Sequence, residues 1–192
     1  MKPSRLEALR ATLTAMTNGK RGDTGNLQAE TEQPQVGEAF SSPVCYADEM
    51  DERYSGYADR DELLTFLNEL LEAERAGAKI AARTATETSD ALLRSLMQEV
   101  QRDEAHWCAI LSKWIAHLGG AASQRTGAFY EKCLAISDIP ARIAFINRGQ
   151  GWVVRKLREK LPRMRDDAMH CDFTAMLKGH EDNIAKADKA LR

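Results

Sequence analysis

The chain has 192 residues, 43% hydrophobic and 29% charged, with a formal net charge of −2 and a pI near 6.1. That length suits one domain plus an appendage, and the charge balance gives no electrostatic footing for nucleic acid, where a basic domain is expected. No apolar run approaches the roughly 20 residues that a membrane-spanning helix needs.

The N-terminal stretch MKPSRLEALRATLTAM is amphipathic and too polar for the apolar region of a signal peptide, so the expected location is the cytoplasm. Residues 4–17 have Leu6, Leu9, Leu13 and Met16 at helical spacing. Residues 18–58 are rich in Gly, Ser and Pro and lack apolar periodicity, which reads as a flexible linker. The expected domain division is therefore 1–58 and 59–192. From Asp59 onward the pattern is helical. Asp59 with Glu62 is a capping-box variant that opens a helix over about 60–86. Ser89 and Asp90 open a second helix, which ends at Gly119-Gly120. A third starts at Asp138, tolerates Pro140 in its first turn and stops before Pro162. A fourth runs from about Asp166 to the C-terminus. The first and third junctions are short, giving antiparallel hairpins. The second is long and holds a short helix around Phe129–Ala135. Two hairpins joined by one long crossover is the ferritin-like arrangement, so the predicted fold class is all-α, an up-down four-helix bundle with an N-terminal extension.

A bundle helix buries one apolar stripe, so a polar residue inside the stripe is informative. On the first helix the stripe is Leu63, Leu67, Leu70, Leu71, Ala78 and Ala81, and Glu74 lies in its middle, whereas Glu69 and Glu72 read as solvated surface. The second helix, with Leu93, Leu96, Met97, Val100, Trp107, Leu111, Trp114 and Leu118, brings Glu104 close to the stripe centre. Asp103 falls on the flank and His106 well outside. The third helix, with Ile139, Ile143, Ile146, Val153 and Leu157, places Gln150 inward and carries no acidic residue between Asp138 and Glu159. The fourth, with Met169, Phe173, Met176, Leu177, Ile184 and Leu191, places His180 inward. Two carboxylates, an imidazole and an amide meeting in one core form a plausible environment for a divalent metal. The competing reading is a metal-free polar network in which the carboxylates share a proton or pair with His180.

The segment Leu67-Asn68-Glu69-Leu70-Leu71-Glu72-Ala73-Glu74 resembles the first helix of bacterioferritins, whose eighth residue is a metal-binding glutamate. Asp103-Glu104-Ala105-His106-Trp107 resembles the second-helix Glu-x-x-His box of the ferritin-like superfamily. The resemblance spans about residues 60–190 and implies metal ligation by Glu74, Glu104 and His180. It also has departures. The second-helix box reads Glu104-x-x-Trp107 in the register that periodicity favours, or Asp103-x-x-His106 in a rival one. Gln150 replaces the third-helix Glu, and Leu177 replaces the Glu of the fourth-helix box. With two carboxylates, a di-iron centre is short of bridging ligands. A single iron or manganese ion, with Gln150 or water completing its shell, remains open beside no metal at all.

Gln150 and Trp107 are the residues expected to meet a cofactor, with core packing the competing role for Trp107. Gly149 and Gly151 flank Gln150 at a cost in helix propensity, which suggests close helix approach or a pocket there. The basic run from Arg155 to Arg165 reads as a solvated helix end. Cys45, Cys108, Cys133 and Cys171 form no C-x-x-C pair and read as reduced core thiols. Two functions are expected to compete: a metal-carboxylate protein acting on dioxygen, peroxide or a small substrate, and a metal-free helical module that binds a partner or small ligand. A homodimer is the expected assembly, with neither nucleic acid nor membrane as a partner.

Overall fold

The computed structural model describes residues 56–192. The expected helix over 4–17 lies outside that range, as does the linker over 18–58 apart from its last three positions. Among the described residues there are five α-helices and no strand: α1 Arg60–Glu87, α2 Ala91–His117, α3 Phe129–Leu134, α4 Ile139–Lys160 and α5 Asp167–Ala190. A single 3-10 turn, Leu161–Arg163, follows α4. Each of the four long helices opens on an aspartate whose carboxylate accepts backbone N–H groups of the first turn. Asp59 accepts from Glu62, Asp90 from Leu92 and Leu93, Asp138 from Ala141, and Asp166 from Met169, at 2.7–3.0 Å. These caps satisfy donors that the helix itself leaves free.

The apolar core falls into two halves. One is built from the first half of α1 (Leu63 to Leu71), the last part of α2 (Leu111 to Ile115), the end of α4 (Val153, Leu157) and the start of α5 (Met169 to Met176). The other takes the end of α1 (Ile80 to Ala85), the start of α2 (Leu93 to Val100), the start of α4 (Ile143, Ile146) and Ala187 near the end of α5. Chain directions follow from this. α1 and α5 start where α2 and α4 end, so α2 and α4 run parallel, and residues 118–138 must travel from one end of the bundle to the other. α1 packs chiefly on α2, and α4 on α5. The other sides of the square are α1 against α4 and α2 against α5, and α3 lies over α1 and α4.

Several side chains fix this frame. Glu72, expected as solvated surface, is instead tied into the crossover, where it accepts Ser123 Oγ at 2.6 Å and Arg125 Nε at 3.0 Å. The basic run after residue 155 is likewise only partly a solvated end. Lys156 pairs with Glu69 at 3.0 Å and Arg158 with Glu181 at 2.6 Å, and Lys160 and Arg163 both bind Glu62. Long basic side chains at the end of α4 reach carboxylates on α1 and α5 because those helices begin at the same end of the bundle. Ala58 N–H donates to Arg163 O at 2.9 Å, docking the start of the described chain on the same turn. The stripe of α1 is broader than expected: Phe66, Gly77, Ile80 and Thr84 are buried and Ala78 is half-exposed, since α1 has three helical neighbours and not two. Cys133 is buried, Cys108 half-buried and Cys171 exposed, so Cys171 is no core thiol.

Leu67 is fully buried in the first half-core. Leu67→Ala is expected to lower unfolding free energy by about 2–5 kcal/mol, measured by denaturant titration of helical signal. A change below ~1 kcal/mol would mean that this half-core collapses freely around the deletion.

Candidate metal centre

Between the two apolar halves lies one polar layer, with one residue from each long helix: Glu74 (α1), Glu104 (α2), Gln150 (α4) and His180 (α5). All are at most 4% exposed. Each sits where its helix passes from one half-core to the other, so side chains from helices of opposite direction reach the same depth.

One ligand atom from each of Glu74, Glu104 and His180 lies within 4.8 Å of the others. His180 Nε2 stands 3.3 Å from Glu74 Oε1. On its other side the ring faces Gln150, with Nδ1 and Oε1 3.4 Å apart. An amide oxygen only accepts, so Nδ1 carries the proton and donates to Gln150. Nε2 is then left with its lone pair aimed at the carboxylate. Two electron-rich atoms therefore face each other inside the buried layer. Consistent with this, Glu74 Oε1, Glu74 Oε2 and His180 Nε2 are all buried, and their polar neighbours are one another and the Glu104 carboxyl. Such an arrangement is costly unless a proton or a cation lies among the three side chains.

The electrostatics express the same cost. Burial pushes the Glu74 carboxyl up to about 8, against which a hydrogen bond with the Glu104 carboxyl acts only partly. Burial first, and then the Glu74 charge, hold Glu104 well above the usual carboxylate range, with His180 pulling the other way. Burial lowers His180, opposed by Glu104 and Asp103.

Glu104 faces inward. Asp103 turns to the α2–α5 seam, where Asn183 Nδ2 donates to its Oδ2 at 3.0 Å, and His106 is exposed. The rival register is thus not the one that enters the core. Trp107 is half-buried, its ring lying against the α5 backbone at Gly179, where an added Cβ would sit 3.2 Å from Trp107 Cζ2. Its Nε1 is buried without an acceptor.

Two residues of this centre escape a periodicity argument. A Cβ on Gly77 would fall on the Glu104 carboxylate, so only glycine leaves room for Glu104 to reach across to α1 beside Glu74. Its place three residues after Glu74, on the buried arc, is the signal that was available. Asn183, three residues after His180, is 2% exposed and holds Asp103 in place.

A cavity of about 410 Å3 opens between α1 and α4 under residues 126–129 of the crossover and ends on Glu74, Glu104 and Gln150. Gly149 makes it possible, as the Phe129 ring packs on the α4 backbone there and an added Cβ would lie 2.5 Å from Cζ. The glycine pair around Gln150 does accompany a pocket.

A four-helix bundle with parallel α2 and α4, a full-length crossover and a carboxylate–histidine layer at mid-height has the ferritin-like fold. Two solved structures share it. One is a ferritin-like diiron-carboxylate protein from Bacillus anthracis str. Ames (TM-score 0.62, 16% identity, 69% of this chain and 97% of that one). The other is a bacterioferritin-related dodecameric thioferritin from Bacteroides fragilis (TM-score 0.60, 16% identity, 70% and 87%). The chain belongs to a domain family of unknown function, DUF6306, whose model matches residues 61–189. No curated protein matches the chain.

The buried carboxyls make a signed prediction for chelator-treated protein. Glu74 is protonated in the folded state up to about pH 8 but only to about 4.5 when unfolded, so its stabilising contribution is present at low pH and is lost as pH rises through about 8. Glu104 has the same sign. His180 has the opposite sign, but only below its ordinary value of 6.5. Between pH 6.5 and 8 the melting temperature is therefore expected to fall, and Glu74→Gln to flatten that slope, as read by calorimetry. A flat profile for the parent chain would show that the carboxyls are solvated.

Proposed function

We propose that Glu74, Glu104 and His180 bind one divalent metal ion, iron or manganese, which equips the bundle for chemistry on dioxygen, peroxide or a small molecule. The observation that carries this reading is the buried convergence of Glu74, Glu104 and His180, with one ligand atom of each within 4.8 Å of the others. Two oxygen donors and an imidazole nitrogen suit a first-row divalent ion. Charge favours one ion over two. Two carboxylates and a neutral histidine balance a single divalent cation, whereas a second would leave net positive charge in a core without further acidic groups within the layer.

The chain's own residues have separable tasks. Gln150 accepts the Nδ1 proton and so orients the ring with Nε2 toward the carboxylates, as groups beyond the direct ligands commonly do for metal-bound histidine. Gly77 leaves the space that Glu104 occupies. The two half-cores exclude bulk water from above and below, and the cavity leaves one approach from the α1–α4 side. When bound, the metal supplies Lewis-acid polarisation and, as iron or manganese, one-electron redox chemistry. The ferritin-like diiron-carboxylate relative supports a metal role for this fold, and the dodecameric relative supports assembly into oligomers; a homodimer is the smallest such assembly we propose.

A metal-free ligand-binding module is the second reading. It is favoured by Trp107, Gln150 and Leu177 at positions where the ferritin-like pattern has ligands, and by a Glu74 carboxyl that burial pushes up to about 8. Elemental analysis separates the two. Protein purified without chelator is expected to carry close to one iron or manganese per chain, and Glu74→Ala and His180→Ala are expected to lose it. Trace metal that is unchanged in Glu74→Ala decides for the metal-free module. Gly77→Ala is expected to displace the Glu104 carboxylate and deplete the metal while the helical circular dichroism persists. Full metal content in that variant would place Glu104 outside the ligand set.

A further inference from the structure

The cavity that ends on the polar layer is much larger than dioxygen or peroxide requires. Its volume of about 410 Å3 lies within the roughly 300–1,000 Å3 typical of small organic ligand sites. A single water takes only about 30 Å3 in the liquid. The walls are apolar and aromatic. Phe129 and Phe145 stack at 5.2 Å between centroids with an interplanar angle of 16°, and Trp152, Val153 and Ala73 complete the tunnel.

The charges at the mouth are unequal in availability. Glu69 is paired with Lys156 at 3.0 Å, and Glu72 with Arg125 at 2.9 Å. Arg148 also lines the cavity. Its guanidinium carbon lies 4.9 Å from the centre of the Phe145 ring, and among the described residues it has no carboxylate partner. Held over an aromatic face, it is a cation with its fork of N–H donors unspent. The inner wall is acidic, the outer rim carries a free cation, and the space between is apolar.

From this juxtaposition we propose that the cavity binds a small organic anion with an apolar or aromatic body, its anionic group met by Arg148 and its uncharged end directed at Glu74, Glu104 and Gln150. The orientation follows from charge, since an anion pushed inward would meet two carboxylates, whereas at the rim it meets Arg148, the one charge of the mouth without a counter-ion among the described residues. The proposal deepens the metal-centre reading by naming a substrate class, and it rests on that reading for the reaction but not for the binding.

The test is calorimetric titration of the full chain, as purified and after chelator treatment, with 2-naphthoate and with its neutral isostere 2-naphthamide. Naphthoate is expected to bind saturably, one per chain, and about fivefold more tightly than the amide, which is what an ion pair at a partly exposed mouth supplies. Arg148→Ala is expected to remove that preference without altering the melting temperature, because Arg148 is exposed. Ala73→Leu, which narrows the tunnel, is expected to lose both ligands, with Ala73→Ser as a variant that keeps the space open and retains them. Equal binding of acid and amide, absence of binding by both, or undiminished binding to Ala73→Leu would each overturn the proposal. Naphthoate binding to protein that was isolated without chelator and yet carries no stoichiometric metal would overturn the metal reading and leave this one standing. Stoichiometric metal without naphthoate binding would do the reverse.

Discussion

Two carboxylates placed in the middle of a helical bundle impose a requirement on everything around them. Ionised and unpaired, they would cost more than a small domain's entire stability, so they must be neutralised by protons or by a cation. The organisation of the described chain is consistent with that requirement. Among the described residues the two halves of the apolar core are separated by one polar layer, and all four long helices contribute to it. Glu74 and Glu104 come from neighbouring helices, Gly77 clears the space between them, and His180 approaches from the helix that packs on α2. The glutamine fixes the tautomer of the histidine, so that the ring presents a lone pair and not a proton.

The remainder of the fold serves to hold this layer while leaving one side open. Parallel α2 and α4 force the intervening segment to cross the full height of the bundle, and the crossover is where the molecule has room for a cavity. Glu72 anchors the crossover through Ser123 and Arg125, and Phe129 seats it on α4 at Gly149. At the far end, Arg142 performs a related function, donating to Ile136 O at 2.8 Å and to Glu87, and thereby joining the end of α1 to the start of α4. On the α2–α5 side the layer is closed by Trp107 against Gly179 and by Asn183 with Asp103. One flank of the centre is sealed by aromatic packing and a hydrogen-bonded pair, and the opposite flank is a tunnel.

The similarity to ferritin-like proteins is one of backbone architecture, at 16% identity in both cases. Where the ferritin-like pattern carries carboxylates on all four helices, this chain has them on two. The loss is chemically coherent. Gln150 and Leu177 place no negative charge on the third and fourth helices, and Trp107 no nitrogen ligand on the second, so the acidic groups of the layer are Glu74 and Glu104. The space beside Gln150, flanked by glycines, then becomes part of a cavity with an apolar lining.

Much of this was legible in the amino-acid order. Helix boundaries follow from aspartate caps and from glycine and proline, which act locally and are written into adjacent residues. Burial of Glu74, Glu104, Gln150 and His180 follows from helical periodicity, because a stripe that interacts with any apolar surface must be continuous and a polar residue inside it is conspicuous. Tertiary structure decided what depends on the partner helix. That Gly77 is the seat of Glu104, that Asn183 holds Asp103, that Glu72 and the basic end of α4 are engaged with neighbours, and that Ala78 yields its place to Ile80 are relations between helices far apart in sequence. One-helix periodicity gives the face of a residue but neither its depth nor what stands opposite, and it is depth and opposition that turn four polar side chains into a site.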